Sequence, residues 1–144
     1  MGKGRLLAIG LLGVGAWLAM PAADAATTTV KANMIGSEET PGPGDPDGKG
    51  IATITLDDVA NTVCYEFTYT GIDKPTAAHI HTGARGVAGP PVVDFNVSRN
   101  GDKGCVGADP TALKNIRDNP AGHYVNIHTA NYPKGAIRGQ LFKP

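Results

Sequence analysis

The chain has 144 residues, with 13 Lys or Arg and 13 Asp or Glu, so its formal net charge is zero at pH 7. Because it has no surplus of basic residues that could neutralise phosphates, the composition argues against a nucleic-acid partner. Two cysteines and four histidines are the residues most suited to redox or metal chemistry.

The N-terminal segment, residues 1–25, is typical of a secretory signal peptide. It begins with two basic residues, continues with an apolar run, and ends on Ala-Asp-Ala, the small-x-small pattern of a cleavage site. An uncleaved membrane anchor is the alternative, but the run is short and weakly flanked for one. We therefore predict a signal peptide over residues 1–25 and a single secreted or periplasmic domain over residues 26–144, with no membrane span after cleavage.

Alternation of apolar and polar residues dominates residues 26–144 and is typical of half-buried antiparallel strands. In residues 61–72, for example, Val63, Tyr65 and Phe67 alternate with polar residues. The same pattern occurs in residues 27–35, 51–58, 91–98, 123–129 and 135–142.

One segment, residues 109–120, predicts a helix, because Asp109 can cap it and Pro110 occupies the first helical position. Glycine- and proline-rich segments between the alternating runs predict turns. The expected fold is all-β, an antiparallel Greek-key β-sandwich or partly closed barrel with one short helix.

Cys64 and Cys105 form an even pair in a chain predicted to be exported, and an oxidising compartment favours a disulfide between them. The alternatives are two free thiols or two metal ligands. Neither cysteine lies in a CxxC spacing, which favours the disulfide.

His79 and His81 flank Ile80 in the sequence "AAHIHTGARG". In a strand, residues i and i+2 point the same way, roughly 6.6–6.8 Å apart. If Ile80 faces the core, both imidazoles face outward and can lean towards a common ion at about 2.0–2.1 Å.

The segment "HYVNIHT" supplies a third histidine on a polar face. His123 lies on the apolar side with the aliphatic residues and is not predicted to be a ligand. His128 shares the other side with Tyr124 and Asn126. In the last predicted strand, Arg138 also points outward, together with Gln140.

If these strands are neighbours, three imidazoles and a guanidinium share one surface patch. We therefore predict a metal site at His79, His81 and His128, with Arg138, Asn126 and Tyr124 binding an anion or supporting the ligands from behind. Copper and zinc both suit imidazole, whereas a closed structural zinc site needs a fourth histidine or cysteines. The alternative is that the histidines only hydrogen-bond loops and hold no metal.

Two long blocks, "AAHIHTGARGVAGPPVVDF" and "NPAGHYVNIHTANYPKGAIRGQL", resemble the CHRD domain, a module first described in chordin and found in bacterial secreted proteins. The resemblance extends upstream through "GSEETPGPGDPDGKGIATITLD" and covers nearly all of residues 26–144. It implies an exported binding or structural module without catalysis, whose partner, a protein or a metal ion, is not specified. His123 departs from the family pattern, which more often has an aromatic residue there.

A fainter resemblance is to the copper/zinc superoxide dismutase fold, in which an HxH strand, a later histidine and an arginine follow in the same order. It implies an alternative function as a mononuclear copper protein, either for copper handling or for superoxide dismutase-like redox activity. The bridging histidine and the zinc loop of that fold have no counterpart in this sequence.

Overall fold

The computed structural model of the protein describes Met1 and residues 27–144, so the predicted signal peptide lies almost wholly outside the described residues. Among the described residues, no helix has the length and apolar character needed to cross a membrane. The strands are β1 (Thr27–Ile35), β2 (Lys49–Asp57), β3 (Thr62–Thr70), β4 (Pro75–Thr82), β5 (Pro91–Asp94), β6 (Lys103–Gly107), β7 (His123–Thr129) and β8 (Ile137–Phe142). The helices are α1 (Val97–Asn100) and α2 (Pro110–Asp118), with 3₁₀ turns at Gly36–Glu38 and Pro120–Gly122.

The eight strands form one antiparallel sheet in the order β5-β4-β7-β8-β1-β2-β3-β6. The sheet curls into a nearly closed barrel, which confirms the all-β prediction and selects the partly closed barrel. The strands alternate as predicted, so one side chain in two points inwards. Every second residue of β1, from Val30 to Met34, is at most 1% exposed, and the same period fills the core from β2 and β3.

The gap between the edge strands β5 and β6 is closed by the chain that runs from one to the other. Phe95, in this connection, is fully buried and packs on two aromatic rings of β3. Its ring centroid lies 4.7 Å from that of Tyr65 and 5.1 Å from that of Phe67. Tilted and edge-on contacts of this kind are favourable beyond the area they bury, so the aromatic cluster substitutes for the missing strand pairing.

The predicted strand over residues 91–98 is wrong in its second half, because the strand ends at Asp94. Asn96 adopts a left-handed backbone conformation with φ of 52°. Its backbone N–H donates to the Asp94 carboxylate at 2.8 Å, a local turn that competes with strand pairing. The next residues form the single turn α1.

Helix α2 is confirmed where the sequence predicts it. The Asp109 side chain accepts from the backbone N–H groups of Thr111 and Ala112 at 2.9 and 3.1 Å. These are two of the N-terminal donors that have no partner within a helix. Leu113 and Ile116 are fully buried and attach the helix to the core.

Cys64 and Cys105 lie directly opposite each other in the pairing of β3 with β6 and form a disulfide. The prediction from the sequence is confirmed. The bridge joins residues 41 positions apart and ties the edge strand β6 to the sheet.

Replacing both cysteines by serine is expected to lower the free energy of unfolding by about 3–4 kcal/mol, because the unfolded chain regains the freedom that the closed loop denies it. Denaturant unfolding under non-reducing conditions measures the change. A reductant should destabilise the parent and leave the double variant unchanged. Equal transition midpoints for parent and variant would contradict a stabilising bridge.

Asp109→Ala is expected to lower the free energy of unfolding by about 1 kcal/mol, because two backbone donors lose their acceptor. Asp109→Asn is the matched control, since its amide oxygen still caps the helix. Thermal unfolding of the three proteins measures the effect. If the asparagine variant loses as much stability as the alanine variant, capping is not the cause.

Candidate metal centre

The antiparallel pairing of β4 with β7 places three histidines on one face of the sheet. His79 of β4 lies opposite Asn126 of β7. His128 lies two residues beyond Asn126 on the same strand, opposite Ala77. One ligand nitrogen from each of His79, His81 and His128 lies within 4.8 Å of the others. The structure therefore brings together the three histidines that the sequence singles out.

The closest pair of these rings has the spacing of two ligands on one ion. His79 Nδ1 lies 3.2 Å from His128 Nε2. Two nitrogens each bonded at roughly 2.0–2.1 Å to a tetrahedral ion are about 3.3 Å apart. The rings meet edge-on, with centroids 5.1 Å apart, and His81 meets His79 in the same way at 5.4 Å.

Backbone carbonyls set the protonation of two of the rings. His81 Nδ1 lies 2.8 Å from the carbonyl oxygen of Gly89, and His128 Nδ1 lies 3.0 Å from that of Pro133. A carbonyl only accepts, so in each neutral ring Nδ1 carries the proton and Nε2 keeps the lone pair. Metal-binding histidines are commonly held in this way, with the distal N–H donating to a carbonyl.

The Nε2 atom of His81 is buried and has no hydrogen-bond partner among the described residues. Buried polar atoms are nearly always paired, so an unpartnered one calls for a physical reason. Here the unpartnered lone pair belongs to one of three neighbouring rings that lie within ligand distance of one another. That donor set fits a copper or zinc ion.

Burial lowers the pKa values of all three imidazoles below their ordinary value and is the largest cause for each. For His79, the neighbouring His128 ring lowers the pKa further. Because only the neutral ring has a lone pair to give, this environment favours the metal-binding form.

The polar face is covered rather than open to solvent, which differs from the sequence-based expectation that its residues point outward into water. Tyr124, Asn126 and Arg138 are 3%, 4% and 1% exposed. The cover is the connection between β4 and β5: Arg138 Nη2 donates to the carbonyl oxygens of Ala84 and Val87, both at 2.9 Å. The alternation along a strand predicts on which face of the sheet a side chain lies, but it does not predict whether a loop covers that face.

Tyr124 links the histidines to Arg138 by stacking. Its ring lies parallel to that of His81, with centroids 4.9 Å apart, and the Arg138 guanidinium carbon lies 3.4 Å from the Tyr124 centroid. Because the guanidinium is buried in this contact and bonded to two carbonyls, Arg138 lies behind the histidines and does not face solvent.

His123 does not join the cluster. It is 6% exposed, and its Nδ1 lies 2.9 Å from the carbonyl oxygen of Asn119. It faces away from the candidate metal centre, as the alternation in β7 requires.

Glu39 is a residue near this site that the sequence reasoning missed. It lies in the glycine- and proline-rich connection between β1 and β2 and is only 7% exposed. Burial raises the pKa of Glu39 to about 7, although Arg138 and Asn126 both act to lower it. No periodicity marks such a residue, because a loop has none.

Glu39→Gln is expected to stabilise the protein relative to the parent at pH 8 but not at pH 4.5. As the pH rises from 4.5 towards 7, the unfolded parent ionises Glu39 while the folded parent retains the proton, so the parent loses stability on the order of 2 kcal/mol. Glutamine does not ionise and lacks this loss. Urea unfolding at the two pH values measures the difference, and Glu66→Gln, at an exposed site, is the control. A stability difference independent of pH would contradict the raised pKa.

Comparison with known proteins places the chain in a family. The family model described as the CHRD domain matches residues 30–141. No curated protein and no solved structure matches the chain. The matched range begins within β1, ends within β8, and includes the three clustered histidines and both cysteines. The chain therefore belongs to the CHRD domain family.

Proposed function

We propose that this CHRD domain is an exported module that binds a single copper or zinc ion through His79, His81 and His128 and has no catalytic role of its own. The observation that carries the proposal is the buried, unpartnered Nε2 of His81 beside two other imidazoles within ligand distance. A cluster that served only to hydrogen-bond loops would have no need to leave that atom unpaired.

Export is supported by two independent features. The Cys64–Cys105 disulfide fits an oxidising compartment, since such bridges are rare in reducing ones. Residues 1–25 carry the pattern of a signal peptide. Together they favour a periplasmic or extracellular location, where a binding module meets metal ions or partner proteins outside the cytoplasm.

The donor set favours copper or zinc over the alkaline-earth ions. Imidazole nitrogen suits zinc and copper, whereas calcium and magnesium prefer oxygen ligands. The three rings are half-buried, so the cluster is neither fully exposed nor sealed inside the core.

A second candidate is a copper-dependent oxidoreductase of superoxide dismutase type. It is favoured by the order of the HxH pair, His128 and Arg138 along the chain. Arg138, however, is 1% exposed and its guanidinium donates to two carbonyls, so it is not presented to an anion diffusing in from solvent. We therefore favour metal binding over catalysis as the function.

The purified protein is expected to bind one Cu(II) or one Zn(II) per chain, and His128→Ala is expected to weaken binding by about 100-fold or more, because one of three nitrogen ligands is lost. Isothermal titration calorimetry or competition with a chromophoric chelator measures both. Affinity should fall as the pH is lowered, since protons compete for the lone pairs.

His123→Gln is the matched control, because His123 lies on the other face of β7 and should leave metal affinity unchanged. A His128→Ala variant that binds as tightly as the parent would refute the site. Superoxide dismutation by the copper-loaded parent, absent from the copper-treated His128→Ala variant, would instead favour the second candidate.

A further inference from the structure

Asn126 lies in the middle of the polar face and is buried. It pairs with His79 of β4 on one side and with Arg138 of β8 on the other. Its side-chain Oδ1 lies 3.1 Å from His128 Nε2, nearly the same as the 3.2 Å between that nitrogen and His79 Nδ1. The amide oxygen thus has the spacing of a further ligand in the same cluster.

The contact between Asn126 and His128 is unfavourable without a cation. The Pro133 carbonyl takes the Nδ1 proton of His128, so the neutral ring presents only a lone pair at Nε2. The amide oxygen of Asn126 is also an acceptor, and two acceptors 3.1 Å apart repel. A metal ion between them turns both lone pairs into ligands.

The structure turns the amide oxygen of Asn126, and not its NH₂ group, towards the histidines. Asn126 is only 4% exposed, so this contact lies largely out of solvent.

We propose that the Asn126 amide oxygen is the fourth ligand of the ion held by His79, His81 and His128. This inference rests on the proposed function. It makes the centre an N₃O site for a divalent ion, because an amide oxygen is a hard ligand that adds to the affinity for Zn(II) or Cu(II) and little to that for Cu(I).

The test compares Asn126→Ala and Asn126→Asp with the parent, using Zn(II), Cu(II) and Cu(I) as separate probes in competition with chromophoric chelators. Asn126→Ala is expected to lower the affinity for both divalent ions about 10–100-fold and to change that for Cu(I) less than about threefold. Asn126→Asp, which restores an oxygen ligand, is expected to bind the divalent ions at least as tightly as the parent.

The outcomes separate this inference from the proposed function. If Asn126→Ala binds all three ions as tightly as the parent while His128→Ala does not, the fourth ligand is wrong and the three-histidine site stands. If Asn126→Ala weakens Cu(I) as much as the divalent ions, the selectivity is wrong. Circular dichroism of each ion-free variant shows whether it is folded, and Asn126→Asp carries the test alone if the alanine variant is not: binding of the divalent ions weaker than in the parent refutes the ligand.

Discussion

The register between β4 and β7 is the constraint on which the candidate site depends. Ile80 pairs with Val125 and Ala78 with Ile127, and all four side chains are fully buried. A slip of one residue would turn each of these apolar side chains to the polar face, at a cost of roughly 1.5–3 kcal/mol for each large one. The same register that fills the core therefore fixes the histidines on the opposite face, so the site geometry follows from hydrophobic burial.

A second layer of structure depends on side chains reaching from the sheet to backbone carbonyls in the loops. His81 contacts Gly89, His128 contacts Pro133, and Arg138 donates to Ala84 and Val87. Individually such hydrogen bonds contribute about 1 kcal/mol. Collectively they hold the connecting loops against the sheet. The polar face is therefore largely covered, and the imidazoles are partly desolvated. The loops in turn fix the tautomers of two rings, which links the tertiary structure directly to their chemistry.

Sequence reasoning succeeded where local patterns decide the outcome, as in the alternation of β3 and the cap at Asp109. The disulfide between Cys64 and Cys105 was predicted from the cysteine count and the expected oxidising compartment. The convergence of the HxH pair with His128 required in addition that β4 and β7 be neighbours, which the structure shows. Sequence reasoning failed where a loop distant in sequence covers a side chain, or where a local turn ends a strand. The sequence cannot show that a loop buries Arg138.

Two further residues show the same limit. Asn96 ends a strand that period-2 alternation would continue, because its left-handed backbone and the Asp94 side chain outweigh the pattern. Glu39 belongs to a turn with no period at all, and its burial depends on Gly135, nearly a hundred positions away. Asn126 was found from the alternation in β7, but the direction of its amide oxygen is seen only in the structure.

The distribution of unpaired polar atoms separates this region from the rest of the barrel. Among the described residues, the buried side-chain atoms without a hydrogen-bond partner are Glu39 Oε1, His81 Nε2 and Arg138 Nη1. His81 and Arg138 both stack on Tyr124, and Arg138 also acts on the Glu39 carboxyl, so all three belong to one connected region. A domain under selection for stability alone would pair these groups or replace them with apolar ones, since each unpaired buried polar atom costs about 1–3 kcal/mol. Their concentration around three convergent imidazoles supports the proposal that this site is completed by a bound ion.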